Sequence, residues 1–218
     1  MKHSSRYTIA LILCAAVTLA TSCKKGDYLT DGGLHNAQST LSTYDYLKGH
    51  TYHYFDTTIL LIDHFNLKDS VNKAGTFFAF TDFSVKRLMD DNGYTSLDDL
   101  YANSSSKLVT QYLFGDKNIT VDKTSLNAVS AVNWAGVSAP SAVRKLEDQY
   151  NIYLTSSAPG FQYFTLAYIK VNGVLDDSPG APANDPVDVT LPCQTTGILT
   201  ASGTTLHVLT NAAILNKL

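Results

Sequence analysis

From Leu41 onward the apolar positions repeat with periods that change from segment to segment. Asp56 or Thr57 can cap a helix whose Ile59, Leu60, Leu61, Ile62 and Phe65 form a broad apolar stripe. Thr76 to Phe80 is a short unbroken apolar run behind Gly75, which predicts a strand buried on both faces. Asp82 or Ser84 then starts a helix with Val85, Leu88 and Met89 at i, i+3 and i+4, stopped by Asn92-Gly93. Ser104 to Ser106 open another helix that carries Leu108, Val109, Tyr112 and Leu113 on one face, with Gly115 behind it. Ile119 and Val121 alternate with polar neighbours as in a strand, and so do Tyr150, Ile152 and Leu154. Tyr163 to Val171 predicts a strong strand ending at Asn172-Gly173, a hairpin-type turn pair. Asp176 to Pro186 reads as an exposed loop. Val187, Val189 and Leu191 alternate up to Pro192, and Leu206 and Val208 mark a last strand. There is no internal repeat and no heptad. Helices in the first half and strands mostly in the second predict one α+β domain over residues 41–218, with helices packed on a curved or sandwiched sheet.

The first 40 residues follow a different pattern. Lys2 and Arg6 precede an uncharged run from Ile9 to Ala20, and small residues follow it. A cationic start, a short apolar core and small residues before a cut site are the features of an export signal. The run is shorter than the ~18 residues a spanning helix needs. Leu19-Ala20-Thr21-Ser22-Cys23 resembles a bacterial lipobox. That resemblance implies removal of residues 1–22 and acylation of Cys23, with several acyl chains (palmitate among them) holding the protein to a membrane. Residues 23–40 are polar, hold Gly26, Gly32 and Gly33, and read as a flexible tether.

Charge and cysteine usage narrow the partners. Without Lys2 and Arg6 the chain carries 14 basic against 19 acidic residues, a net charge of −5. Nucleic acids and anionic headgroups select basic faces, and the sequence nowhere has more than two basic residues in succession. Cys14 leaves with the signal and Cys23 is acylated, so Cys193 has no partner for an intramolecular disulfide and is expected to be buried. The fold must then rest on its core, which a chain of just under 200 residues can build.

Motifs that carry chemistry are sparse. The sequence has no nucleophile elbow, P-loop, dinucleotide fingerprint, His-Glu-x-x-His or Cys-x-x-Cys. His50, His53 and His64 lie near one another, and His50 and His53 could share a helical face, but no Cys or carboxylate completes a metal site. Neither a metal nor a cofactor is expected. Asp90-Asp91, Asp98-Asp99 and Asp176-Asp177, the last near Asp185 and Asp188, read as solvated acidic loops. The loop from Asp176 to Asp188 is the place for a weak cation or partner site. Tyr44, Tyr46, Tyr52, Tyr54 and Phe55 form an aromatic cluster that suits a glycan or protein surface, or a helix start packed on the core.

Two segments carry a family resemblance. Thr76-Phe-Phe-Ala-Phe-Thr-Asp-Phe-Ser-Val85 resembles the first signature of fasciclin (FAS1) domains, in which a buried strand enters a helix through a Thr-Asp turn. Phe77, Phe78 and Phe80 would fill the core there, while Thr81 and Asp82 turn the chain and cap the next helix. Gly197 to Leu209, with Gly203 and the pair His207-Val208, resembles the family's closing hairpin. Lys107 to Phe114 lies where the family keeps a Tyr-His element, but Tyr112 is followed by Leu113. The stretch from Asp122 to Gly160 is longer than the family's middle section. The tether also resembles that of fasciclin lipoproteins from glycan-degrading Gram-negative bacteria. The resemblance implies a fasciclin-like domain held at the outer membrane, non-enzymatic, and serving adhesion to glycan, matrix or surface-protein partners. A subunit of an outer-membrane glycan-uptake system and an extracellular hydrolase are the alternatives. For His207 it implies an orienting hydrogen bond within the fold.

Overall fold

The apolar run behind Gly75 is the centre of the molecule. In a computed structural model that describes residues 37–116, 119–150 and 161–215, it forms β1 (Thr76–Ala79), and all four of its residues are buried. A strand with an apolar side chain on each face needs cover on both. β1 has β2 (Leu113–Phe114) antiparallel on one side and β7 (Thr205–Leu209) parallel on the other. The remaining strands are β3 (Val129–Ala131), β4 (Ser141–Tyr150), β5 (Phe161–Lys170) and β6 (Val189–Leu199). The order across the sheet is β2-β1-β7-β6-β5-β4-β3, antiparallel except at β1–β7. The two ends of the sheet nearly meet: Asn133, just past β3, bridges Phe114, and the Trp134 N–H donates to the Leu113 carbonyl at 2.9 Å. The fold is therefore α+β, built on a seven-stranded near-barrel sheet.

Six helices lie among residues 43–110: α1 (Thr43–Lys48), α2 (Asp56–His64), α3 (Lys68–Lys73), α4 (Asp82–Asn92), α5 (Leu97–Ala102) and α6 (Lys107–Thr110). Their apolar stripes join one core with the sheet, including Leu47, Leu61, Ile62, Val85, Leu88, Leu100 and Leu108. Inside the curve, Phe78, Phe114, Tyr112 and Tyr168 pack ring against ring at centroid distances of 4.9 to 6.2 Å. Full burial of each large apolar side chain contributes roughly 1.5–3 kcal/mol. On the other face of β4 and β5, Ala142, Ile169 and Val171 meet Leu175 from the following loop in a small second cluster. That cover on both faces explains why β5 reads as a nearly continuous apolar run.

Several boundaries differ from the sequence expectation, each for a tertiary reason. Ile119 and Val121 lie in an irregular turn, not a strand, with Ile119 buried in the main core. The helix opened by Ser106 stops at Thr110, because Leu113 pairs with Phe77 in β2. The expected strand at Tyr150 to Thr155 begins earlier, as β4, and residues 151–160 lie outside the described residues. Asn172-Gly173 does not close a short hairpin, since the next strand starts at Val189. β6 does not end at Pro192. Up to Pro192 it pairs with β5, and from Cys193 it pairs with β7, so the residue lacking an N–H stands where the strand changes neighbours. Ala37 and Ser39, at the end of the expected tether, already hydrogen-bond Leu199 at 2.7 and 2.8 Å. Cys23 and the segment before it lie outside the described residues.

Candidate functional site

The residues that drew attention in the sequence fall into a closed interior group and an open surface group. Phe78 and His207 are register partners on β1 and β7, and their rings pack 4.9 Å apart. His207 is fully buried. Its Nδ1 accepts from the Gly197 N–H at 3.1 Å, and Nε2 lies 2.8 Å from the Ile119 carbonyl. One ring nitrogen faces a donor and the other an acceptor, so the neutral Nε2–H tautomer satisfies both. Burial pushes the His207 pKa down to about 4, with the Ile119 carbonyl pulling weakly the other way. The ring is thereby occupied in joining β7, the β6 bulge at Gly197 and the turn at Ile119. Gly203, at φ +83°, sits in the turn between β6 and β7 and gives its N–H to the Thr200 carbonyl at 2.9 Å.

The Thr-Asp turn is also built inward, but in a different way from the sequence expectation. Thr81 is the N-cap residue of α4, yet its hydroxyl donates to Asn211 Oδ1 at 3.0 Å and does not cap the helix. Thr76 likewise donates inward, to the Asp116 carbonyl at 2.6 Å. Asp82 caps the other helix. Its Oδ1 accepts from the Thr57 and Thr58 N–H groups at 2.9 and 3.2 Å, at the start of α2, where Phe55 is the N-cap residue and supplies no side-chain bond. Neither Asp56 nor Thr57 is the cap, because the orphan donors at the α2 start are met from across the fold. Burial raises the Asp82 pKa above the usual carboxylate value, opposed by those two N–H bonds. The Asp82 N–H donates in turn to the Tyr54 carbonyl at 2.9 Å. This reciprocal tie holds the Tyr52–Phe55 segment against the first turn of α4.

The aromatic cluster divides along this tie. Tyr44 is a core residue and is removed from the surface group. Its hydroxyl donates to the Asp63 carboxylate at 2.9 Å, Lys68 stands 4.4 Å over its ring, and burial with the Asp63 bond pushes the phenol up to about 12. Tyr46 and Phe55 are also packed against the core. Tyr52 and Tyr54 face outward, 71% and 40% exposed, and they are joined by Phe83 at 54%. Tyr52 and Tyr54 stack at 5.7 Å and 26°, and Tyr54 meets Phe83 at 6.1 Å and 61°. His50 packs against both tyrosine rings, 5.4 Å from Tyr54 and 6.0 Å from Tyr52. His50 and His53 do not share a helix: His53 has φ +54°, its N–H bonds the His50 carbonyl, and its Nδ1 is 3.2 Å from Asp56 Oδ2. The three rings edge an open groove of about 440 Å³ bounded by Thr57, Asp82 and Lys86. Phe83 was not singled out from the sequence, although a signal was there. It lies about 200° around α4 from Val85, off the buried stripe.

The remaining acidic and His candidates are spent on structure. Asp188 accepts from the Asn172 and Asp176 N–H groups, Asp176 accepts from the Asp188 N–H, and Asp185 accepts from the Val174 N–H. Asp177 takes the Ala128 N–H at 3.0 Å and lies 3.8 Å from Arg144. The loop from Asp176 to Asp188 is thus tied by its carboxylates to the segment that follows β5, to Ala128 and to Arg144 on β4, and offers no assembled cation site. Asp99 closes a capping box with Ser96, and Asp90 and Asp91 pair with Lys86 and Arg87 one turn earlier on α4. His64 lies flat on Tyr101 at 3.9 Å. Cys193 is free and buried. Among the described residues, no group of three or more His, Cys, Asp or Glu side chains is placed to hold a metal ion. Compared with known proteins, the chain matches no family model and no curated sequence.

Proposed function

We propose that the protein is a lipid-anchored, non-enzymatic binding or adhesion module of the outer membrane, with a fasciclin-like domain that presents the Tyr52–Tyr54–Phe83 shelf to its partner. The observation that carries this reading is the shelf itself: three large rings left open on a rigidly tied segment, when other large aromatics nearby are buried. Contiguous exposed apolar surface of this kind marks interaction sites. The fasciclin reading is supported by the side-by-side placement of the two resembling segments, with Phe78 opposite His207 and the Tyr112 carbonyl accepting from the Phe78 N–H at 3.0 Å. Anchoring rests on the lipobox around Cys23 alone. The test is retention of vesicles carrying the full-length protein on surfaces coated with glycans or matrix proteins, beside a Cys23→Ser form for the anchor. Retention that requires both Cys23 and the shelf is expected. A Cys23→Ser protein that stays with the membrane, or vesicles held by no coated surface, would defeat the reading.

One observation favours a second reading, an accessory subunit of an outer-membrane glycan-uptake system. Among the described residues, β4 and β5 pair with each other from Ser141–Lys170 out to Tyr150–Phe161, while the ladder of β6 on β5 runs over 167–170. Open strand edges of this kind can accept a strand from a neighbouring protein. Crosslinking in intact cells, followed by identification of a transporter on the 163–166 edge of β5, separates this reading from a free-standing adhesin.

A further inference from the structure

We infer that the Tyr52–Tyr54–Phe83 shelf is a subsite for a neutral pyranose glycan, whose C–H faces lie on the open rings and whose hydroxyls bond the polar side chains around them. The inference rests on the binding-module reading and names its ligand class. A pyranose ring has an apolar face of C–H groups and a rim of hydroxyls, so its complement is an aromatic face with donors and acceptors beside it. The groove supplies both at close range. Tyr52 and Phe83 are more than half exposed, while Thr57, Asp82 and Lys86 line the same groove. Lys86 brings donors only and an ionised carboxylate brings acceptors only, and sugar hydroxyls can meet either. A protein partner would favour a larger apolar centre cleared of charge, with charges kept to the rim. Here Asp82 and Lys86 line the same small groove as the rings.

The local charge selects among glycans. Asp82 lines the groove, Lys86 on the same lining is paired with Asp90 at both carboxylate oxygens, and the lining His53 is paired with Asp56. This excess of negative charge disfavours uronate or sulfate polymers and leaves neutral hydroxylated chains as the complementary class. The rings are also held before any ligand arrives. The Asp82 ties to Tyr54, Thr57 and Thr58 fix Phe83 beside Tyr54, and the turn at His53 holds Tyr52 in the stack. Little ordering is then required on binding.

The test uses the full chain purified in neutral detergent and immobilised mixed-linkage β-glucan, mannan, starch and polygalacturonate. Binding to at least one neutral polymer and none to polygalacturonate is expected. Tyr52→Ala and Phe83→Ala should each weaken that binding about tenfold, the size of one lost aromatic contact, and the double variant should abolish it. Tyr163→Ala, at an exposed ring on β5, should leave it unchanged. An unchanged melting temperature in the shelf variants excludes unfolding as the cause. Absence of binding to all three neutral polymers overturns the glycan assignment, as does binding that survives the double variant. If the neutral polymers fail but a matrix protein is held in a shelf-dependent way, the glycan assignment falls and the binding-module reading stands. If nothing is held through the shelf, both fall.

Discussion

Acidification through the window in which His207 titrates should weaken the fold by a calculable amount. The native ring is neutral because the Gly197 N–H points at Nδ1 and the site is closed to water. Adding a proton would set two N–H groups against each other in the interior. The native pKa is therefore held near 4, whereas the unfolded chain titrates at the ordinary His value of 6.5. Between those two values the unfolded state binds more protons than the native state, so stability rises with pH across the window and is lost as pH falls through it. At 1.36 kcal/mol per unit the full window is worth about 3 kcal/mol, a large share of the ~5–15 kcal/mol that holds a domain together. Urea unfolding of the wild type and of His207→Gln, at about pH 7 and about pH 4.5, checks the value. The glutamine is uncharged throughout this range, so the variant should be less stable at neutral pH yet should lack this part of the pH slope. Carboxylates and the exposed histidines contribute to both proteins and cancel in the comparison. Equal slopes in the two proteins, or an NMR titration of His207 with a midpoint at or above 6.5, would refute the reasoning.

Three further outcomes follow from the same geometry. Gly173→Ala should cost about 1–3 kcal/mol in chemical denaturation, because φ is +84° and the new Cβ would stand 2.5 Å from the Asp185 carboxylate that holds the Val174 N–H. Gly93→Ala, at φ +70° with open space around it, should lose only the backbone part, so equal losses at the two positions would remove the Asp185 contact from the account. Asp82→Ala should cost about 0.5–2 kcal/mol by leaving the Thr57 and Thr58 N–H groups without their acceptor, and Asp82→Asn should recover most of it. Amide exchange at Thr57 and Thr58 that stays as slow in Asp82→Ala as in the wild type would contradict that role. The Cys193 thiol, buried with its pKa raised by burial, should resist a thiol reagent in the native protein and react on unfolding. Rapid native-state labelling would place it at the surface instead.

Where local pattern and final environment coincide, the structure was legible in advance. Phe77 to Phe80 is apolar at every position, and the central strand Thr76–Ala79 that it enters is buried at every position. Val85 and Leu88, with Gly93 behind them, encode α4 and its left-handed stop. The aromatic cluster was legible only as a group. The side on which each ring lies depends on the turn at His53 and on Asp82 reaching back from 25 residues away. Phe83 was hidden by its neighbours, since one exposed aromatic in an amphipathic helix looks like any other apolar residue when read along the chain.

By itself, the sequence determined the α+β class and the main buried segments. Each of these depends on residue identity or on a period within a few neighbours. The tertiary structure alone decided the parallel pairing of β1 with β7, the passage of β6 through Pro192, and the meeting of Asn133 with Phe114 that nearly closes the sheet. It also decided which carboxylates are free, because a hydrogen bond such as Asp188 to Asn172 or Asp82 to Thr57 is set by distance in space. The physical reason is the same throughout. Burial and pairing are properties of groups brought together from far along the chain, and no local period encodes that approach.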